Sequence, residues 1–318
     1  MSVGATLIAS LLAVLDRPST WPLALLGFLV RGGWLLVIAP IVVLPTAVGL
    51  ANVVAPLLED VAFGRPTDDL IRTVVLALVA VVGWVVVGGL VAAVTETEAV
   101  RRIAASETVT AVPGGAVAGR SGRAWRILAV RLAAHIPFVI ALAWGSSRIV
   151  AVGYRELTVP SDVTVPSAWR IATGAPEAIV AIALTWLIGE AVGAMGARRV
   201  ILAGEGAREA LRTAARRFGR APLRPIALAL VSTAVIAVVL VVTGLATGAT
   251  WDALRSALLI EDPPVVITAL LLVFIALFAG GLVLLALTAA WRVAIWTLDA
   301  GRDAGGTFGG VGGIRSGD

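Results

Sequence analysis

The chain has 318 residues, of which 59% are hydrophobic and 14% charged, and its formal net charge is +5. A soluble domain carries about 45–50% apolar and about 25% charged residues, so this excess excludes most soluble enzyme classes and points to a bilayer as the solvent. There is no cysteine and one histidine, His135, which excludes disulfides, thiolate chemistry and multi-histidine metal sites; no cofactor is expected.

The chain opens with MSVGATLIASLLAVLDRPST. This stretch lacks a basic leading region and an A-x-A-like cleavage site, so it does not read as a secretion signal. Ile8, Leu11, Leu12 and Leu15 fall at helical spacing, which predicts a short interfacial helix ending before Pro18. Six apolar runs follow, each able to cross about 30 Å of hydrocarbon with about 20 helical residues. They cover residues 34–57, 74–94, 128–150, 179–197, 226–245 and 265–290. Unbroken apolar runs exclude a barrel, whose strands alternate. The sequence therefore predicts an all-α polytopic bundle of six transmembrane helices over residues 1–299, then a Gly-rich disordered cytoplasmic tail at 300–318.

All 25 basic residues are Arg, a bias that fits a GC-rich bacterial genome. Nineteen of them lie in the N-terminal stretch, after spans two and four, and in the C-terminal stretch; the other segments hold six. The positive-inside rule then places both termini in the cytoplasm of a bacterial inner membrane, as an even span count requires. The basic charge reads as topology and lipid contact rather than nucleic-acid binding.

Similar marks close the even-numbered spans: Arg101-Arg102-Ile103, Arg198-Arg199-Val200 and Trp291-Arg292-Val293. Their spacing of roughly 95 residues suggests three repeated hairpins, 1–103, 104–200 and 201–299, each carrying an interfacial amphipathic helix. The bland alternative is that any six-span protein with basic inner loops shows Arg there. The interfacial helix is clearest before span five. Glu205, Arg208, Glu209, Arg212, Arg216 and Arg220 share one face, and Ala207, Leu211, Ala214 and Phe218 the other. Trp125, Leu128 and Leu132 sketch a similar stripe before span three, with Arg120 and Arg123 nearby. Arg120, Arg123, Arg208, Arg212, Arg216 and Arg220 are expected to face anionic lipid headgroups. Trp21, Trp34, Trp125, Trp291 and Trp296 read as anchors at the inner interface, and Trp169 and Trp251 at the outer one.

The opening RPSTWPLALLGFLVRGGWLLVIAPIVVLPTAVGL, and GEGAREALRTAARRF leading into span five, give the chain a resemblance to uncharacterised bacterial multi-pass proteins. These are similar to the membrane domain that accompanies some glycerophosphodiester phosphodiesterases. The resemblance covers much of the membrane part and carries no catalytic motif. It implies architecture and a membrane role, and no catalytic residue.

For chemistry, Glu190 is the one acidic residue well inside a predicted span, which makes it a functional candidate by default. It lies nine residues before Arg199, about 13 Å along a helix. His135 lies nine residues past Arg126, at a similar depth, so the two are placed to meet across adjacent helices and share a proton. The plain alternative is a structural pair. Gly189, Gly193 and Gly196 around Glu190 read as close helix packing. GGAVAGRS at residues 114–121 has Walker A spacing with Arg in the Lys position, and Gly119 to Gly122 has rhomboid-like letters. Both sit in a predicted flexible linker, and His135 is about 21 Å from Ser121 along a helix. Pro40, Pro45 and Pro137 are expected to kink spans one and three.

These readings lead to a non-enzymatic module that binds the bilayer's anionic headgroups, a membrane-protein partner or a second copy of itself. The alternative is a small-solute or lipid permease, proton-coupled through Glu190. An enzyme ranks last.

Overall fold

The computed structural model describes residues 2–42, 67–106, 120–159, 161–162 and 164–303. Among them the fold is all-α, without a strand. Six helical stretches are long and apolar enough to cross a membrane: Pro18–Ile41, Asp68–Ser106, Ile136–Glu156, Pro176–Ala203, Leu223–Leu259 and Pro264–Arg302. Their outer faces agree with that solvent. Val79, Val87, Ile140, Val242 and Leu272 are all more than half exposed, a surface that acyl chains match and water does not. The protein is a multi-pass integral membrane protein.

Helix α1 (Val3–Leu15) starts where Ser2 Oγ accepts the Ala5 N–H at 3.2 Å, an N-cap that satisfies one of the orphan donors. Its small and polar residues Thr6, Ser10 and Ala13 are buried, while Ile8, Leu11, Leu12 and Leu15 are exposed. The expected apolar stripe thus exists and points away from the protein.

The first span differs from expectation. Helical structure already begins at Pro18 and runs through α2 (Trp21–Phe28), a wide turn at Leu29–Gly33 and α3 (Trp34–Ile38) to Ile41. The sequence places this span at residues 34–57, after Arg31. The structure accommodates Arg31 in the wide turn, where Gly32 takes φ +103°, open to glycine at no steric cost. Residues 43–57 of the expected span, with Pro45, lie outside the described residues.

Helix α4 (Asp68–Ser106) has 39 residues, about 58 Å at the usual rise. It runs well past the expected end at residue 94. Span three is also displaced. Residues 128–134 belong to α5 (Arg120–Ala134), and α6 (Ile136–Thr158) begins after a break at His135. Pro137 explains the break, since it supplies no N–H and its ring crowds the preceding turn. A short α7 (Ser167–Gly174) leads into α8 (Pro176–Arg198). A wide turn at Arg199–Ala203 closes with Gly204 at φ +71°, a left-handed helix end. Then come α9 (Ala207–Arg220), α10 (Leu223–Leu259) and α11 (Pro264–Asp303). Helix α11 continues to the fourth residue of the predicted tail; residues 304–318 lie outside the description.

The chain divides into two compact units. One comprises Met1–Thr20, Glu96–Val235 and Ala290–Asp318. Its core holds Ala134, Ala191, Ala194, Met195, Ala214, Leu228, Ile295 and Trp296. Small residues bring its helices close. A Cβ on Gly189 would lie 3.0 Å from the Ala134 carbonyl oxygen, and one on Gly196 would lie 2.6 Å from Val130 Cγ1. The glycines around Glu190 therefore seat α8 against α5. The other unit comprises Trp21–Thr95 and Ile236–Ala289. It packs Trp34 on Trp84 with centroids 5.8 Å apart, and Trp251 on Phe274 at 5.4 Å. Pro40 packs close to Gly244 and Gly248.

Candidate functional site

The site lies within the first unit and starts from the overshoot of α4. Because that helix continues past residue 94, Glu96 sits on a regular inward face, and its side chain is only 4% exposed. Arg131, on α5, grips it with a two-pronged fork: one N–H donates to Oε1 at 2.6 Å and Nε donates to Oε2 at 3.2 Å. Such fork geometry is among the strongest charge-assisted bonds. Arg198, at the end of α8 and 1% exposed, also donates to Glu96 Oε1. Its other terminal nitrogen donates to the Val293 carbonyl of α11 at 3.2 Å.

Arg131 also reaches Glu190 of α8, at 3.9 Å. Arg292 of α11 donates to Glu190 Oε2 at 2.5 Å, and His135 Nε2 stands 3.4 Å from Glu190 Oε1. The two residues expected to meet are therefore adjacent, but inside a larger cluster. Four helices, α4, α5, α8 and α11, are cross-tied by Glu96, Glu190, Arg131, Arg198 and Arg292, with His135 at the α5–α6 break.

The hydrogen bonds of His135 fix its form. Nδ1 lies 2.8 Å from the Arg131 carbonyl oxygen, which can only accept, so Nδ1 carries a proton. Nε2 faces a carboxylate, also an acceptor, and is stabilised with a proton as well. Burial opposes the charged ring, but the hydrogen bond to Glu190 and that carboxylate's charge outweigh it. The His135 pKa is raised above its ordinary 6.5. With His135 charged, the six named side chains carry two negative and four positive charges.

A second carboxylate, Asp299 of α11, is 1% exposed. Its Oδ2 accepts from Arg217 and its Oδ1 from Arg224, both at 2.7 Å. Arg224 also donates to Thr6 Oγ1 at 2.9 Å, which ties in α1. In the last turn of α6, Glu156 Oε2 accepts from the Ser161 N–H at 3.0 Å and hydroxyl at 2.8 Å. The hydroxyl and amide of Thr164 hold the neighbouring Asp162 carboxyl below its usual range.

The arginines expected at headgroups separate into three groups. Arg208, Arg212, Arg216 and Arg220 are exposed along one face of α9. The opposite face, with Ala210 and Ala214 buried, packs on the protein rather than on lipid. Arg123 departs from expectation: it is 5% exposed and turned into the protein, because the α5 face that carries it packs on neighbouring helices. The Arg120 side chain lies outside the described residues, as do residues 107–119 with most of the Walker-like string. Trp296 departs as well: it is 3% exposed in the core, and Trp291 Nε1 donates to the Leu7 carbonyl at 3.0 Å.

Sequence reasoning missed Glu96, Arg131, Arg198, Arg292 and Asp299 as a set. A signal was present: each terminal arginine mark has an acid within about two turns, Glu96 before Arg101-Arg102, Glu190 before Arg198-Arg199 and Asp299 after Arg292. None of the described His, Asp and Glu residues form a group of three able to hold a metal ion. Comparison of the chain with protein-family models, curated proteins and solved structures finds no match.

Proposed function

We propose that the chain is a non-enzymatic membrane module of a bacterial inner membrane whose basic end binds anionic lipid headgroups. The observation that carries this reading is α9. Its buried alanine face is clamped to the bundle, and its opposite face presents Arg208, Arg212, Arg216 and Arg220 as an exposed row. A row of guanidiniums held beside apolar spans suits the negative surface of a cytoplasmic leaflet, at about 1 kcal/mol per residue. The arginine count supports cytoplasmic termini. The resemblance to membrane domains of glycerophosphodiester phosphodiesterases fits a role at phospholipid, and the spacing of the three arginine marks fits three hairpins.

The permease alternative rests on the adjacency of Glu190 and His135. Two guanidiniums engage that same carboxylate, and a carboxylate held by fixed cations serves as a cross-tie better than as a proton carrier. Native mass spectrometry of the full chain released from mixed phosphatidylcholine and phosphatidylglycerol nanodiscs tests the proposal. Preferential retention of the anionic lipid is expected, and its loss when all four arginines become Gln. Equal retention of both lipids by the wild-type chain refutes it.

A further inference from the structure

Beside the Asp299 pairs lies a cavity of about 320 Å³, lined by Arg217, Ala221, Arg224, Pro225, Asp299 and Arg302. Its volume lies at the lower end of the range for ligand pockets. Three guanidiniums face it against one carboxylate.

Both oxygens of that carboxylate already accept hydrogen bonds, from Arg217 and Arg224. Asp299 therefore does not make the cavity a cation site; it orients the two arginines. Arg224 is fixed further by its bond to Thr6. A guanidinium carries five N–H donors in a rigid fork, and these bonds set its direction. Pre-oriented guanidiniums lose little freedom when an anion arrives.

A second feature points to the same ligand charge. Arg224 and Pro225 lie in the first turn of α10, a helix of 37 residues. Pro225 carries no N–H and Ile226 donates to the Pro222 carbonyl, so this turn offers the backbone N–H groups of Leu223 and Arg224 and the positive end of the helix dipole. Convergent arginines at a helix start form a recurrent phosphate-binding arrangement.

We propose that this cavity binds a phosphate group, carried either by a lipid headgroup or by a small soluble phosphate. A phosphate offers the tetrahedral set of acceptor oxygens that three converging forks can share. The lipid source rests on the function proposed above; the phosphate chemistry rests on the cavity's own residues.

The test uses the full chain in two settings. In non-ionic detergent it is titrated with inorganic phosphate at constant ionic strength. In phosphatidylcholine nanodiscs it is compared with and without phosphatidic acid. Saturable binding of at least one probe is expected. Arg302→Gln should weaken it about tenfold, roughly the loss of one charge-assisted contact. Arg302 is chosen because the ion pairs of Asp299 are made by Arg217 and Arg224, so the fold should survive its change. Ala221→Asp places a carboxylate at the cavity wall and should abolish binding. Arg148→Gln, an exposed arginine paired with Glu177 and absent from the cavity wall, should bind the probe as the wild type does.

Phosphate alone binding identifies a soluble ligand, and binding of phosphatidic acid alone identifies a headgroup; either supports the site. Folded Arg302→Gln and Ala221→Asp variants that bind like wild type overturn it, as does the absence of saturable binding to both probes. If the four α9 arginines govern anionic-lipid preference while probe binding is unchanged in both cavity variants, the proposed function stands and this inference fails.

Discussion

Replacing Glu96 by Gln leaves the shape of the side chain and removes its charge. The cost follows from what surrounds it. Glu96 is 4% exposed and accepts three hydrogen bonds from two guanidiniums, one of which is 1% exposed. An amide keeps one acceptor oxygen but cannot balance Arg198 and Arg131. Leaving buried charge without its partner costs about 3–5 kcal/mol, a large share of the roughly 5–15 kcal/mol that holds a typical domain. Denaturant titration in mixed micelles, followed by tryptophan fluorescence, measures the change. Glu98→Gln is the internal control: its side chain is 42% exposed and pairs with Arg102 on the same helix, which predicts about 0–1 kcal/mol. Adding Arg198→Met to Glu96→Gln should recover part of the loss by removing the stranded cation. A Glu96→Gln cost no larger than that of Glu98→Gln would refute the reasoning, since Glu96 would then not be a buried cross-tie.

The single histidine makes a clean spectroscopic probe. Isotope-labelled His135 should titrate above 6.5, and Glu190→Gln should lower that pKa. Because the folded pKa is raised, the stabilisation is complete below about 6.5, the unfolded value, and is lost as pH rises through the folded value. The unfolding midpoint should therefore fall across that window, and His135→Gln should remove the slope. A His135 resonance titrating below 6.5 contradicts the assigned contact. Gly189→Ala forces a methyl against the Ala134 carbonyl and the His135 ring, so it should destabilise by about 1–3 kcal/mol and shift the histidine resonance; a neutral result would mean α8 and α5 are not in close contact. Glu190→Gln should leave anionic-lipid retention unchanged in native mass spectrometry, because the α9 arginine row does not depend on it.

The apolar content alone made the helical class and the number of spans legible. The amphipathic α9 was legible too, because its alternation of Arg and Ala is strong enough to read without neighbours. Helix ends were not legible. An apolar window stops where the lipid stops, whereas the backbone continues through Thr95, Glu96, Thr97 and Glu98 because helix formation does not require apolar residues. That is why Glu96 escaped notice while Glu190, surrounded by apolar letters, did not. Arg31 had the opposite effect: a charge placed before the expected span is absorbed within a helical stretch by a wide turn at two glycines. The direction of Arg123 depended on which face of α5 meets other helices. Amphipathic spacing identifies two faces but not what each one touches.

Between residues 71 and 87, α4 turns nearly all of its side chains outward: Val74, Leu76, Leu78, Val79, Val81, Val82 and Val87 are each more than half exposed. Such a stretch has acyl chains as its main neighbours, apart from Trp34 against Trp84, while the far end of the same helix holds Glu96. A helix whose apolar middle turns mostly to lipid meets the thickness of the bilayer directly. In a thinner membrane it has few protein contacts to lose by leaning, at fractions of a kcal/mol per ångström of mismatch. The length of that lipid-facing stretch, rather than any packed core, is therefore what matches α4 to the membrane around it.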